Sequence, residues 1–371
     1  MGWLITIFEN VRDPRTGNAQ RHDLLDVLTI ALVASICGCE SCVEFADFAE
    51  DREELFREFL TLEHGLPSHD TFSRIFRLLD PATLSVAFDR FLEELGADGA
   101  GVIAIDGKTL RRSFDRAAGR SALHVVTAFA TDARVVIGQR AVPAGGNEIT
   151  AARDLLRTLE LKGTLVTADA IHCQHETAEI VCRGGGDYLF ALKANRPAMR
   201  RDVDAFFADP PTGAVERYET VDDDHGRPEV RRHAVSHEVD WLFSDRRYSG
   251  EPAMPGLATI AAVESTVERG GRTTRSVRYY LSSAELSAAR FAQLVRGHWH
   301  IENGVHWVLD TTFDEDRARN RKDHGPENLA IIRKLALNVL KRARPDISIR
   351  RKRKRSGWSD AFARTVLGQM R

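Results

Sequence analysis

The sequence predicts an α/β protein with a helical region before its sheet. Three observations carry this prediction. Residues 23–98 have the apolar spacing of helices, residues 101–212 alternate short apolar strands with helical segments, and residues 213–283 hold further strand-like segments between glycines and prolines. Strands that alternate with helices indicate a partly parallel sheet covered on both faces. At 371 residues the chain is long enough for two or three domains.

The first 98 residues predict an N-terminal helical domain. Residues 24–33 are almost all apolar, which is typical of a buried helix. Further along, Ser68 is a good N-cap for a helix that carries Phe72, Ile75 and Phe76 at helical spacing. Arginines lie among these apolar residues. A DNA contact of the helix-turn-helix kind and plain packing both explain the pattern, so both stay open.

The next segments give the order βββαβαβα, and two of their strands end in an acid. The apolar run 102–105 is followed by Asp106, and the run 165–168 is followed by Asp169. A third acid, Glu302, lies on a helix predicted from about Ser287 to Asp310. At ~100° per residue it falls on the apolar face of that helix, so we expect a buried carboxylate there. Such a group is costly unless a cation or a metal ion pairs with it, and a buried salt bridge is the alternative explanation.

Three carboxylates from two strand ends and one helix suit a phosphoryl-transfer site with two metal ions. Oxygen ligands favour Mg²⁺, which binds few protein carboxylates and keeps several waters. Two such ions activate the attacking oxygen and stabilise the leaving one. We therefore expect Asp106, Asp169 and Glu302 to converge as catalytic residues and metal ligands, with two Mg²⁺ ions for which Mn²⁺ can substitute.

The net charge of −2 conceals a strong asymmetry along the chain. Residues 317–371 contain 17 Lys and Arg against 4 Asp and Glu, whereas the residues before them are acidic. After a last core helix at about 326–343, residues 346–371 predict a basic C-terminal tail. Its run 350–355 is a candidate DNA contact. The amino terminus has no signal-type apolar core and no run of 18 apolar residues exists, so we expect an intracellular protein with no membrane partner.

Several segments resemble the H-repeat-associated, ISAs-type insertion-sequence transposases, a DDE transposase family. The first three hold the acids: Ile105-Asp-Gly-Lys-Thr-Leu-Arg111, Ala168-Asp-Ala-Ile-His-Cys-Gln174 and His298-Trp-His-Ile-Glu-Asn-Gly-Val-His-Trp307. Others are Leu66-Pro-Ser-His-Asp-Thr-Phe72, Tyr188-Leu-Phe-Ala-Leu-Lys-Ala-Asn195 and Asn328-Leu-Ala-Ile-Ile-Arg333. The resemblance follows the chain in order over nearly its whole length.

The resemblance implies an RNase H-like catalytic core, residues 99–212 and 284–345, interrupted by a β-rich insertion at 213–283. It implies metal-dependent cleavage at transposon ends and strand transfer to target DNA in the bacterial cytoplasm, at the nucleoid. Terminal inverted repeats and target DNA would be the partners, with at least a homodimer to pair two ends. The candidate DNA contacts are basic or imidazole side chains: Lys108, Arg111, Lys193, His298, Arg350, Arg351, Lys352 and Arg353.

One departure narrows the analogy. Related cut-and-paste transposases with a β-insertion carry Tyr, Arg and Lys around the catalytic Glu, at spacings that here fall on Val295, His298 and Leu309. Mechanistic steps that depend on that Arg and Lys are therefore not carried over. His298 and His306, four residues on either side of Glu302, are the alternative sources of DNA or metal-shell contacts.

Two other interpretations compete with an active transposase. The chain could be a DNA-binding relative that has lost transposition, or an RNase H-like nuclease for branched DNA. The spacing C-x-C-x-x-C at Cys37, Cys39 and Cys42 raises a zinc site, but no second ligand pair follows, so core or helix-end cysteines are favoured. Whether an element would be cut out or copied does not follow from the sequence.

Overall fold

The computed structural model describes residues 2–95, 101–222, 229–243, 253–269 and 272–368. The predicted domain boundary at residues 98 and 99 lies outside these ranges. The chain divides into two units. The first comprises Met1–Asp98, Gly107–Ala151 and Glu302–Arg371, and the second comprises Gly99–Asp106 and Ala152–Ile301. The chain therefore passes between the units directly after Asp106 and directly before Glu302.

The helices, in chain order, are α1 (Trp3–Thr6), α2 (Leu24–Cys37), α3 (Cys42–Asp51), α4 (Glu53–Arg57), α5 (His69–Leu78), α6 (Pro81–Leu95), α7 (Glu148–Leu156), α8 (His175–Arg183), α9 (Pro197–Ala208), α10 (Ala288–Ile301), α11 (Trp307–Thr312), α12 (Gly325–Arg342), α13 (Ile349–Trp358) and α14 (Asp360–Gly368). The strands are β1 (Gly101–Thr109), β2 (His124–Ala130), β3 (Val135–Ala141), β4 (Thr164–Ala168), β5 (Asp187–Leu192), β6 (Glu216–Asp222), β7 (Glu229–Ser236), β8 (Thr259–Arg269) and β9 (Arg272–Ser282). From β1 to α9 the order is the predicted βββαβαβα.

In the first unit, the helix α2 is the apolar centre. Its residues are buried on nearly every side because its sequence is apolar all round. The Asp23 side chain caps its start by accepting a hydrogen bond from the Leu25 N–H. Gly38 ends it with φ of 118°, a backbone conformation that favours glycine.

The same unit contains the antiparallel pair β2 and β3, on which α12 packs. Asn338 joins α12 to β3 with two hydrogen bonds. Its side-chain oxygen accepts from the Val136 N–H at 2.8 Å, and its side-chain amide donates to the Val136 carbonyl at 2.8 Å. This amide satisfies both polar groups of one buried strand residue, which fixes the position of α12 along β3.

The prediction of a basic tail over residues 346–371 is wrong for the part of it that the structure describes. Residues 349–368 form the helices α13 and α14, and α13 packs on α2. The run of cations 350–355 therefore has two sides. Lys352 and Arg353 are buried, whereas Arg350 and Arg351 are exposed.

In the second unit, the strands form a sheet in the order β1-β4-β5-β9-β8-β7-β6. The neighbours β1, β4 and β5 are parallel, and the remaining pairs are antiparallel. The strands predicted between residues 213 and 283 are present, and β9 pairs with β5, so they extend this sheet. The parallel strands are apolar and buried, as expected for strands covered on both faces.

The predicted continuous helix from Ser287 to Asp310 is interrupted. It is α10 up to Ile301, a π-helical turn over Glu302–His306, and then α11. A π turn adds a residue to the helical repeat, which changes the face on which the following side chains lie. Within the described residues no single helix is long and apolar enough to cross a membrane. The segments Gly17–Cys37 and Cys42–Asp51, bent by 91° relative to each other, are together long and apolar enough by length and composition alone.

Candidate functional site

Two of the predicted catalytic acids lie next to one another in the sheet of the second unit. Ile105 in β1 and Ala168 in β4 are register partners on parallel strands. Asp106 and Asp169 are the next residues along the chain, so they lie side by side where the pairing of the two strands ends, at the carboxyl end of β4, where α/β sheets commonly bind ligands. The prediction that the first strand ends at Asp106 is wrong, since β1 continues to Thr109. Both residues are accessible, since Asp106 is half-buried and the Asp169 side chain is 50% exposed.

The position of the Asp169 carboxylate is set by its own loop and by a cation. It caps the short 3-10 turn Ala170–His172 by accepting a hydrogen bond from the Ala170 N–H at 2.6 Å. The ammonium of Lys193 donates to both carboxylate oxygens, at 2.9 and 3.3 Å. Partial burial acts to raise the pKa of Asp169, but the hydrogen bonds from Lys193 and Ala170 outweigh it, so that the pKa is lowered.

The loop after β5 supplies that cation. Lys193 follows the last residue of β5, which is parallel to β4. Two residues later, the Asn195 side chain donates to the Ala170 carbonyl at 2.7 Å. Three adjacent parallel strands, β1, β4 and β5, thus deliver Asp106, Asp169 and Lys193 to one edge of the sheet.

His298 joins α10 to the strand that ends at Asp169. Its Nδ1 lies 3.0 Å from the Thr167 hydroxyl, and its charge acts on the Asp169 carboxylate. A predicted DNA contact is therefore half-buried and engaged with β4. Thr167 was missed in the sequence, because a threonine inside an apolar strand gives no signal of such a contact.

Glu302 is exposed, and the prediction that it lies in the apolar face of its helix is wrong. The apolar face itself is as predicted, since Phe291, Leu294, Val305 and Leu309 are buried. The count of ~100° per residue assumes an uninterrupted α-helix, but Glu302 begins the π turn. An exposed carboxylate needs no buried partner, which removes the buried-salt-bridge alternative.

Lys108 lies in an ion-pair network of the first unit, which argues against its predicted contact with DNA. Its side chain is only 11% exposed, and its ammonium contacts the carboxylates of Asp310 and Glu315, the latter at 2.8 Å. These two charges and hydrogen bonds raise its pKa against the opposing effect of burial. Arg353 is likewise committed, since it donates to the carbonyls of Ser35, Cys39 and Thr312.

Gly107, between Asp106 and Lys108, is required by close packing. A Cβ atom there would lie 2.5 Å from Glu148 Cδ and 2.6 Å from His124 Nε2. His124 Nε2 lies 2.6 Å from Glu148 Oε2, and His124 Nδ1 lies 2.8 Å from the Thr109 hydroxyl. The Thr-His-Glu chain was missed in the sequence, since its members are far apart along it.

The donor set at the sheet edge fits Mg²⁺. Asp106 and Asp169 offer carboxylate oxygens, although both oxygens of Asp169 accept hydrogen bonds from Lys193. Mg²⁺ typically binds one or two carboxylates together with waters and substrate phosphates. Within the ranges that the structure describes, no group of three or more His, Cys, Asp or Glu is positioned to hold a metal ion. The cysteines offer no alternative centre, since Cys37 ends α2, Cys42 begins α3, and burial raises the pKa of the Cys42 thiol to about 11.

The remaining predicted DNA contacts differ in accessibility. Arg350 and Arg351 are exposed on α13, and the Arg111 side chain is 79% exposed, 3.3 Å from the Asp316 carboxylate. Lys193 is 61% exposed. These four residues keep cationic side chains at the surface, in contrast to the buried Lys352 and Arg353.

Comparison with known proteins places this arrangement in context. The family profile described as "Transposase DDE domain" matches residues 97–339, and the one described as "DDE_Tnp_1-associated" matches residues 5–92. The "H repeat-associated putative transposase YhhI" of Escherichia coli (strain K12) is 34% identical over 93% of this chain and 92% of its own length. The "Putative transposase YncI" of Escherichia coli O157:H7 is 33% identical over 98% of this chain and 94% of its own length.

Proposed function

Since this chain belongs to the transposase DDE domain family, we propose that it cleaves DNA at transposon ends and transfers the cut strand to target DNA. The observation that carries the proposal is the register of β1 and β4, which sets Asp106 and Asp169 side by side at the carboxyl edge of the sheet. Two adjacent, accessible carboxylates on rigid strands are what a metal-dependent phosphoryl-transfer site requires.

We assign Asp106, Asp169 and Glu302 as the residues that hold Mg²⁺. The assignment of Glu302 is supported by the match of residues 97–339 to the transposase DDE domain family. When bound, Mg²⁺ supplies Lewis-acid activation of the attacking oxygen and stabilises the charge on the leaving oxygen. Mn²⁺ has similar oxygen-ligand preferences and should substitute.

The protein's own side chains do the remaining work. In the absence of a metal ion, the Lys193 ammonium neutralises the Asp169 carboxylate. Because the side chains of Lys193 and Asp169 are both exposed at the sheet edge, Lys193 is also free to bind a DNA phosphate when a metal ion replaces it. Arg111, Arg350 and Arg351 offer further phosphate contacts. The order βββαβαβα supports an RNase H-like core, and pairing of two inverted repeats at the nucleoid calls for at least a homodimer.

The substitution Asp169→Asn tests the proposal. The amide keeps the shape of the side chain but removes the charge that binds metal, so nicking should fall by orders of magnitude while DNA binding persists. The assay compares both proteins on DNA that carries the element's own ends, with Mg²⁺ or Mn²⁺. Asp187→Asn, at the other end of β5, is the matched control and should nick as the wild type does.

Two results would contradict the proposal. Equal nicking by wild type and Asp169→Asn would mean that Asp169 is not a metal ligand. Binding of the ends without nicking by either protein would favour the alternative, a DNA-binding relative that has lost transposition.

A further inference from the structure

Two loops of the first unit carry an unusual density of positive charge. Residues 110–121 and 317–323 together contain eight Lys and Arg against two Asp. All of these cations except the half-buried Arg321 are exposed: Arg111, Arg112, Arg116, Arg120, Arg317, Arg319 and Lys322. We call these two loops the basic surface. Of these cations, only Arg111 was predicted from the sequence to contact DNA. The sequence prediction placed most of the basic DNA contacts in the run 350–355 instead.

Specific contacts hold the two loops together, although about 200 residues separate them in the chain. The Arg321 guanidinium donates to the Arg112 carbonyl at 3.1 Å. Asp323 accepts from Arg77 of α5 at 2.8 Å, and Arg120 lies 3.7 Å from the same carboxylate. These contacts bring the two loops together. Three of their exposed cations also pair with acids: Arg120 with Asp115 and Asp323, Arg111 with Asp316, and Arg317 with Asp314.

The same contacts indicate which kind of polyanion fits. Phe114 is the only aromatic residue in the two loops. Its ring is contacted by the guanidinium groups of Arg116, at 5.3 Å, and Arg321, at 4.6 Å. Proteins that bind single-stranded nucleic acid stack unpaired bases on accessible aromatic rings. Here the ring is engaged by the protein's own cations, which leaves phosphate contact as the means of binding.

We propose that the basic surface binds double-stranded DNA through its phosphates, irrespective of sequence. This inference rests on the proposed function, since DNA is the polyanion on which a transposase acts. Exposed Arg and Lys side chains neutralise phosphates and release the counterions that surround the duplex. Such contacts position the protein on DNA but carry no sequence information. The loop 110–121 begins immediately after β1, the strand that carries Asp106.

The test is a salt titration of binding to a fluorescent random-sequence duplex. The triple variant Arg112→Gln, Arg319→Gln and Lys322→Gln removes three exposed charges whose side chains make none of the loop-joining contacts described above. The slope of log affinity against log salt is negative, and each lost phosphate contact reduces its magnitude by about 0.9. In the triple variant the magnitude of the slope should therefore fall by about 2 to 3. Affinity at low salt should fall at least roughly tenfold.

The matched control is Arg157→Gln, Arg183→Gln and Arg201→Gln, three exposed arginines of the second unit. It removes the same total charge and should change the slope much less. The single variants Arg112→Gln and Arg319→Gln, each expected to lower the slope by about 0.9, replace the triple variant if it does not fold.

Four outcomes would overturn the inference, three of which concern the variants. These three are an equal effect of the test and control variants, an unchanged slope in the test variant, and a larger loss of single-stranded than of duplex binding. Absence of duplex binding by the wild type would overturn it as well. The proposed function is judged separately by nicking in Asp169→Asn, which leaves the basic surface intact and should retain the wild-type salt slope.

Discussion

The Lys193 ammonium lies 2.9 Å from Oδ1 and 3.3 Å from Oδ2 of Asp169. It thus occupies both oxygens that we assign to a metal ion. A cation that must give way before the metal binds reduces the affinity for that metal. Because the pair is about half exposed, the interaction is worth roughly 0.2–1 kcal/mol.

We therefore expect Lys193→Gln to raise the affinity for Mn²⁺ in the absence of DNA by up to about fivefold. Binding can be followed by the electron paramagnetic resonance signal of free Mn²⁺. Lys162→Gln, an exposed lysine of the same unit, controls for the loss of a charge. Weaker Mn²⁺ binding by Lys193→Gln than by this control would show that Lys193 assists the metal site.

Glu302 gives a prediction in which stability and activity separate. Because its side chain is exposed at the start of the π turn, Glu302→Gln should change the free energy of unfolding by less than about 0.5 kcal/mol. Nicking should nevertheless fall by orders of magnitude, as expected for a metal ligand. Urea unfolding and the nicking assay measure the two quantities. A large loss of stability together with a modest loss of nicking would point to a structural role.

Much of the fold followed from the sequence, because the sheet and its helices have clear periodicities. The parallel strands begin as short apolar runs that are followed by an acid, so the position of Asp169 at a strand end could be predicted. For Asp106 the same rule failed, because β1 continues to Thr109. The register that makes the two acids neighbours could not be predicted, since β1 and β4 are separated by more than 50 residues and only the folded sheet pairs Ile105 with Ala168.

The wrong predictions from the sequence have one physical origin. Each used a rule about neighbouring residues where the outcome depends on contacts formed only in the folded protein. A fixed helical angle placed Glu302 on the apolar face, but its side chain is exposed at the first residue of the π turn. The run of cations at 350–355 was predicted to be part of a basic tail that contacts DNA, but Arg353 is buried and three backbone carbonyls accept its hydrogen bonds. The exposed cations of the basic surface went unnoticed, since they come from two loops that meet only after folding.

Arg353 is predicted to stabilise the first unit. Its guanidinium donates to the carbonyls of Ser35, Cys39 and Thr312 and pairs with Glu40 at 3.0 Å. Arg353→Met leaves these groups without their donor and should cost about 3–5 kcal/mol of unfolding free energy. Lys354→Met, one residue along on the exposed side of α13, should cost less than about 0.5 kcal/mol.

Chemical denaturation of both variants measures the difference. The same reasoning means that truncation after Asp346 should unfold part of the protein instead of only weakening its DNA binding. A truncated chain that keeps the wild-type unfolding midpoint, or an Arg353→Met variant as stable as Lys354→Met, would show that α13 contributes little to the fold.

Lys334 should make the stability of the protein depend on alkaline pH. It is 2% exposed, and its ammonium donates to the Gln139 side chain at 2.7 Å. Burial lowers its pKa from 10.5 to about 8, against the opposing effect of the Glu315 carboxylate. Between these two pH values the unfolded chain keeps a proton that the folded protein has released. Since the unfolded state then binds more protons, stability rises with pH in this window.

The substitution Lys334→Met removes this contribution and keeps a side chain of similar length. As the pH rises from about 8 to 10.5, the unfolding free energy of the wild type should increase by about 3 kcal/mol relative to that of the variant. Urea unfolding at several pH values from neutral to alkaline measures it, with the exposed Lys162→Met as the control for loss of a lysine. A difference that stays constant with pH would show that Lys334 remains charged in its buried position, held by Glu315 and Gln139.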